Sequence, residues 1–491
     1  MGALKVLVAN RGEIACRILH TLRELGLPSV ALYTDVDAEA PHVWQADEAV
    51  GLGAPMQYLD GAAILRAAAQ TGATAVHPGY GFLSQQPRFA ADCAAAGLLF
   101  IGPSPEAMAA LGDKRRSRAV AEACGIPVVP GAEACDDVAA ALAAATRVGY
   151  PVLLKAAGGG GGKGMRRVDA AEEMAAAFAA AQREAQGAFA DGRLLLEKYI
   201  HPARHIEVQV LGDGQRAVAL GERECSLQRR YQKVIEEGPA ACLTAPQRQA
   251  LRQAAERLMV AAGYANAGTV EFLLADDGAF YFLEVNTRLQ VEHPVTELTT
   301  GLDLVAWQLA VAQGAALPAP PPTWGHAIEA RLNAEDVPAG FLPASGRVAH
   351  LTWPQWPHVR VDTGIAEGSV VGPHYDPLLA KLIAWGSDRE QARRRLVAAL
   401  YETQLLGVTT NQAFLLQILT SDDFIAGHSR TTTLEGQAWP APPAPPAYAL
   451  QAAHAGPVEA AGGAGIGTAL AATPSPWDSL GGFRMGPCGA L

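Results

Sequence analysis

The sequence predicts an open, largely parallel α/β fold that gives way to an α+β fold near residue 113. Two observations carry that prediction. Over residues 1–112 short apolar runs alternate with amphipathic helical stripes. From Asp113 onward strand-like runs crowd together with few helices between them. A proline-rich stretch, "PAPPPTW" at 318–324, marks the start of a mixed third part.

The elements follow in order. "KVLVAN" reads as a buried strand, and from Gly12 the residues Ile14, Ile18, Leu19, Leu22 and Leu25 form one helical stripe that stops at Gly26. "SVALY" is the next strand, "AAILRAAAQ" a helix and "ATAVHPG" another strand, which completes βαβ alternation. The second texture contains "PVLLKAA", "GMRRV", "RLLLEKYI", "HIEVQVLG", "AVALGE", "TVEFLLA" and "AFYFLEV", a set suited to antiparallel sheets. The predicted parts are 1–112, 113–317 and 318–436, then a Pro/Ala/Gly-rich linker at 437–475 and a short tail at 476–491.

Composition narrows the function. A chain of 491 residues exceeds one core, and its net charge of −11 argues against nucleic acid as a partner. The seven cysteines form no Cys-x-x-Cys pair, so a zinc knuckle or disulfide framework is not indicated and a reducing, cytoplasmic setting is expected. The domain starts almost at Met1, so no signal peptide is expected. The longest oily stretch, "LVAWQLAVAQGAALP", is interrupted by glutamines and reads as a core helix, so no membrane span is expected.

The run "KAAGGGGGKGM" (155–165) invites a phosphate. A Walker A loop fails, because Ala157 stands where its first glycine belongs and Gly164 replaces the hydroxyl residue. A dinucleotide turn fails too, because "MRRV" reads as a strand and not as a helix. A hairpin with a glycine tip remains: its backbone N–H groups could fold over a polyphosphate, with Lys155 and Lys163 adding charge.

A second hairpin suggests a metal. Asp277-Gly278 between two apolar runs predicts a two-residue turn, which puts Glu271 opposite Glu284. Facing carboxylates repel unless a cation lies between them. Asn286 projects from the same face, and this oxygen-rich set suits Mg²⁺ bound to a substrate's phosphates. Extending the alternation puts Glu284, Asn286, Arg288, Gln290 and Glu292 on one face, with Val285, Thr287, Leu289 and Val291 on the other. An anion at Arg288 with Glu292 as general base fits that face.

With these residues in place, the chain resembles the biotin carboxylase component of biotin-dependent acyl-CoA carboxylases (alpha-subunit type), a branch of the ATP-grasp enzymes. The motifs are "ANRGEIACRI", "HPGYGFLS", "GYPVLLKAAGGGGGKGMRRV", "LLLEKYI", "ECSLQRRYQKVIEE", "AGTVEFLL", "EVNTRLQVEHPVTE", "GHAIEARLNAED" and "YDPLLAKLIAWG", spread over about residues 3–436. The resemblance implies an N-terminal open α/β domain, an ATP-grasp domain with a glycine-rich lid, and a mixed C-terminal domain. It implies ATP-dependent carboxylation of biotin by bicarbonate through carboxyphosphate. ATP would meet Lys114, Lys155, Gly160, Gly161, Gly162, Met165, Glu197, Lys198, Ile200, His205 and Gln228. Mg²⁺ or Mn²⁺ would sit on Glu271, Glu284 and Asn286. Bicarbonate would lie among Lys233, Arg288, Gln290, Val291 and Glu292, with Glu292 as base and Lys233 and Arg288 as catalytic cations. Tyr80 and Arg331 would contact biotin, carried on a separate carrier domain; a carboxyltransferase subunit and a homodimer or larger complex are the implied partners. Taken singly, Lys155, His205 or the Glu197-Lys198 pair would read as ordinary solvated groups; in family order they read as a site.

The chain departs from the family pattern at Gln85 and Gln86, where an acid is lost near the biotin side, and at Tyr231, which replaces a His or Asn. The tail "SPWDSLGGFRMG" resembles the opening of the middle domain in long alpha subunits, and no Met-Lys-Met biotinylation motif is present. The chain is therefore either part of a longer subunit or served by a partner's biotinyl domain. Two other functions stay open: another ATP-grasp carboxylate ligase, and an inactive nucleotide-binding subunit that organises a complex. "QVEH" and "RLNAED" count against the first, and Glu271, Glu284, Arg288 and Glu292 against the second.

Overall fold

The structure is a computed structural model that describes residues 4–156, 165–189 and 191–439. The expected parallel domain is present. Strands β1 (Val6–Val8), β2 (Ser29–Tyr33), β3 (Glu48–Gly51), β4 (Ala75–His77) and β5 (Leu99–Phe100) form one parallel sheet in the order β3-β2-β1-β4-β5. Every residue of β1 is buried, as a central strand covered on both faces requires. The helix Gly12–Glu24 lays Ile14, Ile18 and Leu22 on this sheet and gives way to Gly26 at φ +65°, the left-handed conformation glycine tolerates.

A smaller antiparallel sheet follows, from β6 (Gly131–Cys135), β7 (Val152–Ala156), β8 (Arg166–Val168) and β9 (Leu194–Lys198), in the order β6-β9-β7-β8. Alanine-rich helices Val138–Val148 and Met174–Phe189 pack on it and close a separate small core. The β7–β8 hairpin brackets the glycine run, whose tip lies outside the described residues.

The largest sheet contains β10 (Ala203–Asp213), β11 (Ala217–Arg229), β12 (Gln232–Gly238), β13 (Ala265–Ala275), β14 (Phe280–Asn286) and β15 (His326–Asn333). Its order is β14-β13-β10-β11-β12-β15, continued by Leu378–Gly386 and Val359–Thr363. Antiparallel pairing of β12 with β15 carries this sheet across the proline stretch at 318–324, so residues far apart in sequence share one face. Arg230 and Tyr231 form the two-residue β11–β12 turn with φ +50° and +64°, a conformation the right-handed twist of a hairpin favours but these side chains do not.

Candidate active site

Glu271 and Glu284 are register partners, as the hairpin reading predicts, but the route to that register differs. The turn is not a two-residue one. Ala275 N–H donates to the carbonyl oxygen of Ala279, Gly278 N–H donates to that of Ala275, and Gly278 takes φ +87°, so the loop has one residue more. Near the turn, Leu274 therefore faces Phe280 and Leu273 faces Tyr281. A bulge between the Phe272–Phe282 and Glu271–Glu284 pairs absorbs the extra residue at Leu283. Phe280, Phe282 and Val285 face the core, and Glu284 is left on the site side.

The alternation through Glu292 is also corrected. β14 ends at Asn286 on the sheet edge, and Pro294 in the first turn of helix His293–Thr300 ends the extended chain. Non-strand backbone still gathers the expected side chains. Asn286 Nδ2 donates to Glu271 Oε1 at 2.9 Å, Arg288 donates to Gln290 Oε1 at 3.1 Å, and Gln290 Nε2 reaches Glu271 Oε1 at 3.4 Å. Two carboxylates in cross-strand register, with an amide whose oxygen a half-turn brings forward, fit a divalent cation of the Mg²⁺ class.

Lys233, at the start of β12, ties these groups together. Its ammonium donates to Glu207 at 2.5 Å, Glu271 at 2.8 Å and Glu292 at 2.6 Å. Glu292 is fully buried; burial pushes its pKa up, but Lys233, Arg331 and Arg223 outweigh burial and hold the carboxyl well below the usual range. Glu271 is likewise held low, by Lys233 and His205 against burial. Burial lowers the pKa of Arg288, and Glu292 and Glu271 offset part of the shift.

Beside this cluster a cleft opens between the two antiparallel sheets, lined by Lys114, Arg118, Lys155, Glu197, Leu283 and Glu284. Lys155 pairs with Glu197, and Lys114 lies 3.6 Å from Glu284. His205 approaches Glu271 at 3.2 Å through Nε2 and contacts the Gln228 amide at 2.9 Å through Nδ1. Lys198 instead donates to the carbonyls of Gly149 and Tyr150, so its ammonium braces a loop. Met165 and Ile200 are half-buried, whereas Gly160, Gly161 and Gly162 lie outside the described residues. Tyr80 hydrogen-bonds Glu13, and Arg331 bridges Glu236 at 2.6 Å and Glu292 at 2.9 Å.

Sequence reasoning passed over several members of this network. Glu207 alternates with His205 and Gln209 opposite Ile206, Val208 and Val210, a polar row on a buried strand that the pattern itself reveals. Arg223 donates to Glu207 at 2.6 Å, and Lys381 donates to the Val291 carbonyl at 2.7 Å. Nothing local in sequence marks either.

A small sheet carrying a glycine-tipped hairpin, facing a large sheet with paired carboxylates and a buried lysine hub, defines an ATP-grasp ligase. Family models agree: the biotin carboxylase N-terminal domain matches residues 3–108, the carbamoyl-phosphate synthase L chain ATP-binding domain 113–319, and the biotin carboxylase C-terminal domain 329–436. The biotin carboxylase of Nostoc is 44% identical over 439 residues, covering 88% of this chain and 98% of its own. The mitochondrial methylcrotonoyl-CoA carboxylase subunit alpha of Oryza sativa is 50% identical over 435 residues, covering 87% of this chain and 58% of its own. The biotin carboxylase domain of Hydrogenobacter thermophilus 2-oxoglutarate carboxylase, solved as a dimer with MgADP, ADP and bicarbonate, has TM-score 0.86 and 43% identity, covering 88% of this chain and 97% of that one. The chain belongs to the biotin carboxylase family, ATP-dependent ligases that carboxylate biotin. It spans 58 to 60% of the length of the first three alpha subunits it matches. Among the described residues no helix is long and apolar enough to cross a membrane.

Proposed function

We propose that this chain performs the first half-reaction of an acyl-CoA carboxylase, with Glu292 as the base that activates bicarbonate. The contact of Lys233 with Glu207, Glu271 and Glu292 carries this reading, because it joins the candidate metal face to the candidate base. Bicarbonate bound at Arg288, Gln290 and the Val291 backbone gives its proton to Glu292, and its oxygen attacks the γ-phosphorus of ATP, releasing ADP and leaving carboxyphosphate. Carboxyphosphate breaks down to CO₂ and phosphate, the released phosphate takes the N1 proton of biotin, and N1 bonds to the carbon of CO₂. Bringing an anion to a polyanion is the costly step, and Lys233 and Arg288 offset it in a water-poor site. Mg²⁺ or Mn²⁺ held by Glu271, Glu284 and Asn286 would neutralise the phosphate charge.

Lys114, Lys155, Met165, Glu197, Ile200, His205 and Gln228 line the nucleotide path in this reading, with Lys198 bracing it and Gly160–Gly162 at the lid tip. Tyr80 and Arg331 meet biotin, presented on a carrier domain, and a separate carboxyltransferase takes the carboxyl group to an acyl-CoA. The predicted parts 1–112, 113–317 and 318–436 correspond to the α/β, ATP-grasp and C-terminal domains. A dimer and a cytoplasmic location complete the reading; sedimentation and cell fractionation test them.

ATP hydrolysis, assayed with and without bicarbonate and free biotin, tests the activity. Hydrolysis should require bicarbonate and rise with biotin, and Glu292→Gln should lower it by roughly 10²-fold or more, the weight of a positioned general base. ATP turnover indifferent to bicarbonate in the unmodified chain would sink the proposal.

A further inference from the structure

Next to the base lies a charge pairing that the reaction does not use. Glu236 on β12 and Glu329 on β15 are direct register partners, and both are fully buried. Two carboxylates so placed repel each other. Glu236 has Arg331 at 2.6 Å, but among the described residues neither oxygen of Glu329 has a hydrogen-bond partner, nor does the second oxygen of Glu236. Such isolation is too costly for a buried carboxylate and far less costly for an acid that keeps its proton.

Cations are within reach of Glu329 yet are used elsewhere. Arg331 stands two residues along the same strand and gives its donors to Glu236 and Glu292. Lys381 is the register partner of Arg331, diagonal to Glu329, and it donates to the Val291 carbonyl while pairing with Glu13 at 3.2 Å. The charged groups acting on Glu329 are Lys381, Glu236, Arg331 and Glu292. The helix His293–Thr300 packed on β15 adds His293, kept neutral by burial, and Glu297, held by Arg17 and Arg360. Burial raises the pKa of Glu329 well above the carboxylate range, and that of Glu236 to about 7.

We propose that Glu329 is a positioning residue for the carboxylation centre: uncharged opposite Glu236, it leaves Arg331 on Glu292 and Lys381 on the Val291 carbonyl. An ionised Glu329 would draw one or both cations to itself and loosen the base and the bicarbonate peptide together. The inference rests on the function proposed above for Glu292 and Val291.

The test pairs infrared spectroscopy of the full chain with pH profiles of bicarbonate-dependent turnover. The unmodified chain should show carbonyl bands of protonated carboxyl groups at neutral pH, and the component that persists to higher pH, beyond the titration of Glu236, should be lost in Glu329→Gln. Glu329→Gln, an uncharged isostere, should stay within about threefold of normal turnover and stay active at alkaline pH where the parent falls, whereas misplacing the site would cost roughly 10²-fold. Should Glu329→Gln not fold, Glu236→Gln, which removes the opposing charge, should lower the pH at which the band is lost. Absence of a Glu329 acid band at neutral pH, or an unchanged band midpoint in Glu236→Gln, overturns the proposal. The bands are read without turnover, so a chain that lacks bicarbonate-dependent hydrolysis but shows them contradicts only the function proposal.

Discussion

Lys381, with no exposed surface, donates a 2.7 Å hydrogen bond to the carbonyl oxygen of Val291 from a strand 90 residues further along the chain. It also lies 3.2 Å from Glu13 and 3.7 Å from Asp362, so one ammonium joins the N-terminal helix, the loop that follows β14 and the C-terminal strands. Lys381→Met leaves the buried Glu13 without its cation, whereas Asp362 keeps Arg360 at 2.7 Å. Stability should fall by about 3–5 kcal/mol, the usual result of breaking a buried pair. Denaturant midpoints measure it, and a loss under about 1 kcal/mol would show that the lysine is not the tie described.

The opposed carboxylates predict a metal phenotype separable from nucleotide binding. Glu271→Gln removes the charge of one member of the facing pair, on which Lys233, Asn286 and Gln290 converge, and turns one of its two oxygens into a donor. The Mg²⁺ concentration for half-maximal ATP turnover should rise at least about tenfold. A titration of activity against Mg²⁺ at saturating ATP reads it; an unchanged midpoint would move the metal off Glu271.

Acid stability has a specific contributor remote from the site. Burial pushes the pKa of His42 from 6.5 down to about 4, while Nε2 contacts the Leu32 carbonyl at 3.1 Å and Nδ1 has no partner among the described residues. The unfolded chain takes up this proton first, so the contribution is complete above pH 6.5 and is lost as pH falls toward 4. Over that window His42 should account for about 3 kcal/mol of lost stability. His42→Gln should flatten the dependence, as unfolding at stepped pH would reveal.

The Arg230–Tyr231 turn predicts a gain in place of a loss. Both residues take positive φ, where Asn and Gly fit better. Arg230→Asn with Tyr231→Gly should stabilise the chain by about 1 kcal/mol, read as a higher denaturant midpoint. A lower midpoint would mean the tyrosine ring contributes more than its backbone costs.

What the sequence made legible was local. Period-two patterning and a turn signal were enough to place Glu271 opposite Glu284, and βαβ alternation to find the parallel sheet. The bulge at Leu283 was invisible, because a two-residue turn with regular pairing and a longer turn with a bulge lead to the same partners. Glu236 and Glu329 become neighbours only through β12–β15 pairing, and Lys381 in "PLLAKLIAWG" looks like any strand lysine until its strand finds its place. Pairings between distant segments are set by tertiary packing, which residue spacing does not encode.

The bulge at Leu283 sorts grease from charge. Phe282 and Glu284 are two residues apart, so unbroken pleating would aim both the same way, yet Phe282 is buried in the core while Glu284 is half-buried and lies 3.6 Å from Lys114. The extra residue supplies the change of phase, and Leu283, the bulged residue, is among those that line the cleft. The bulge offsets the third turn residue, so Glu271 and Glu284 keep the register that a two-residue turn with unbroken pairing would have produced.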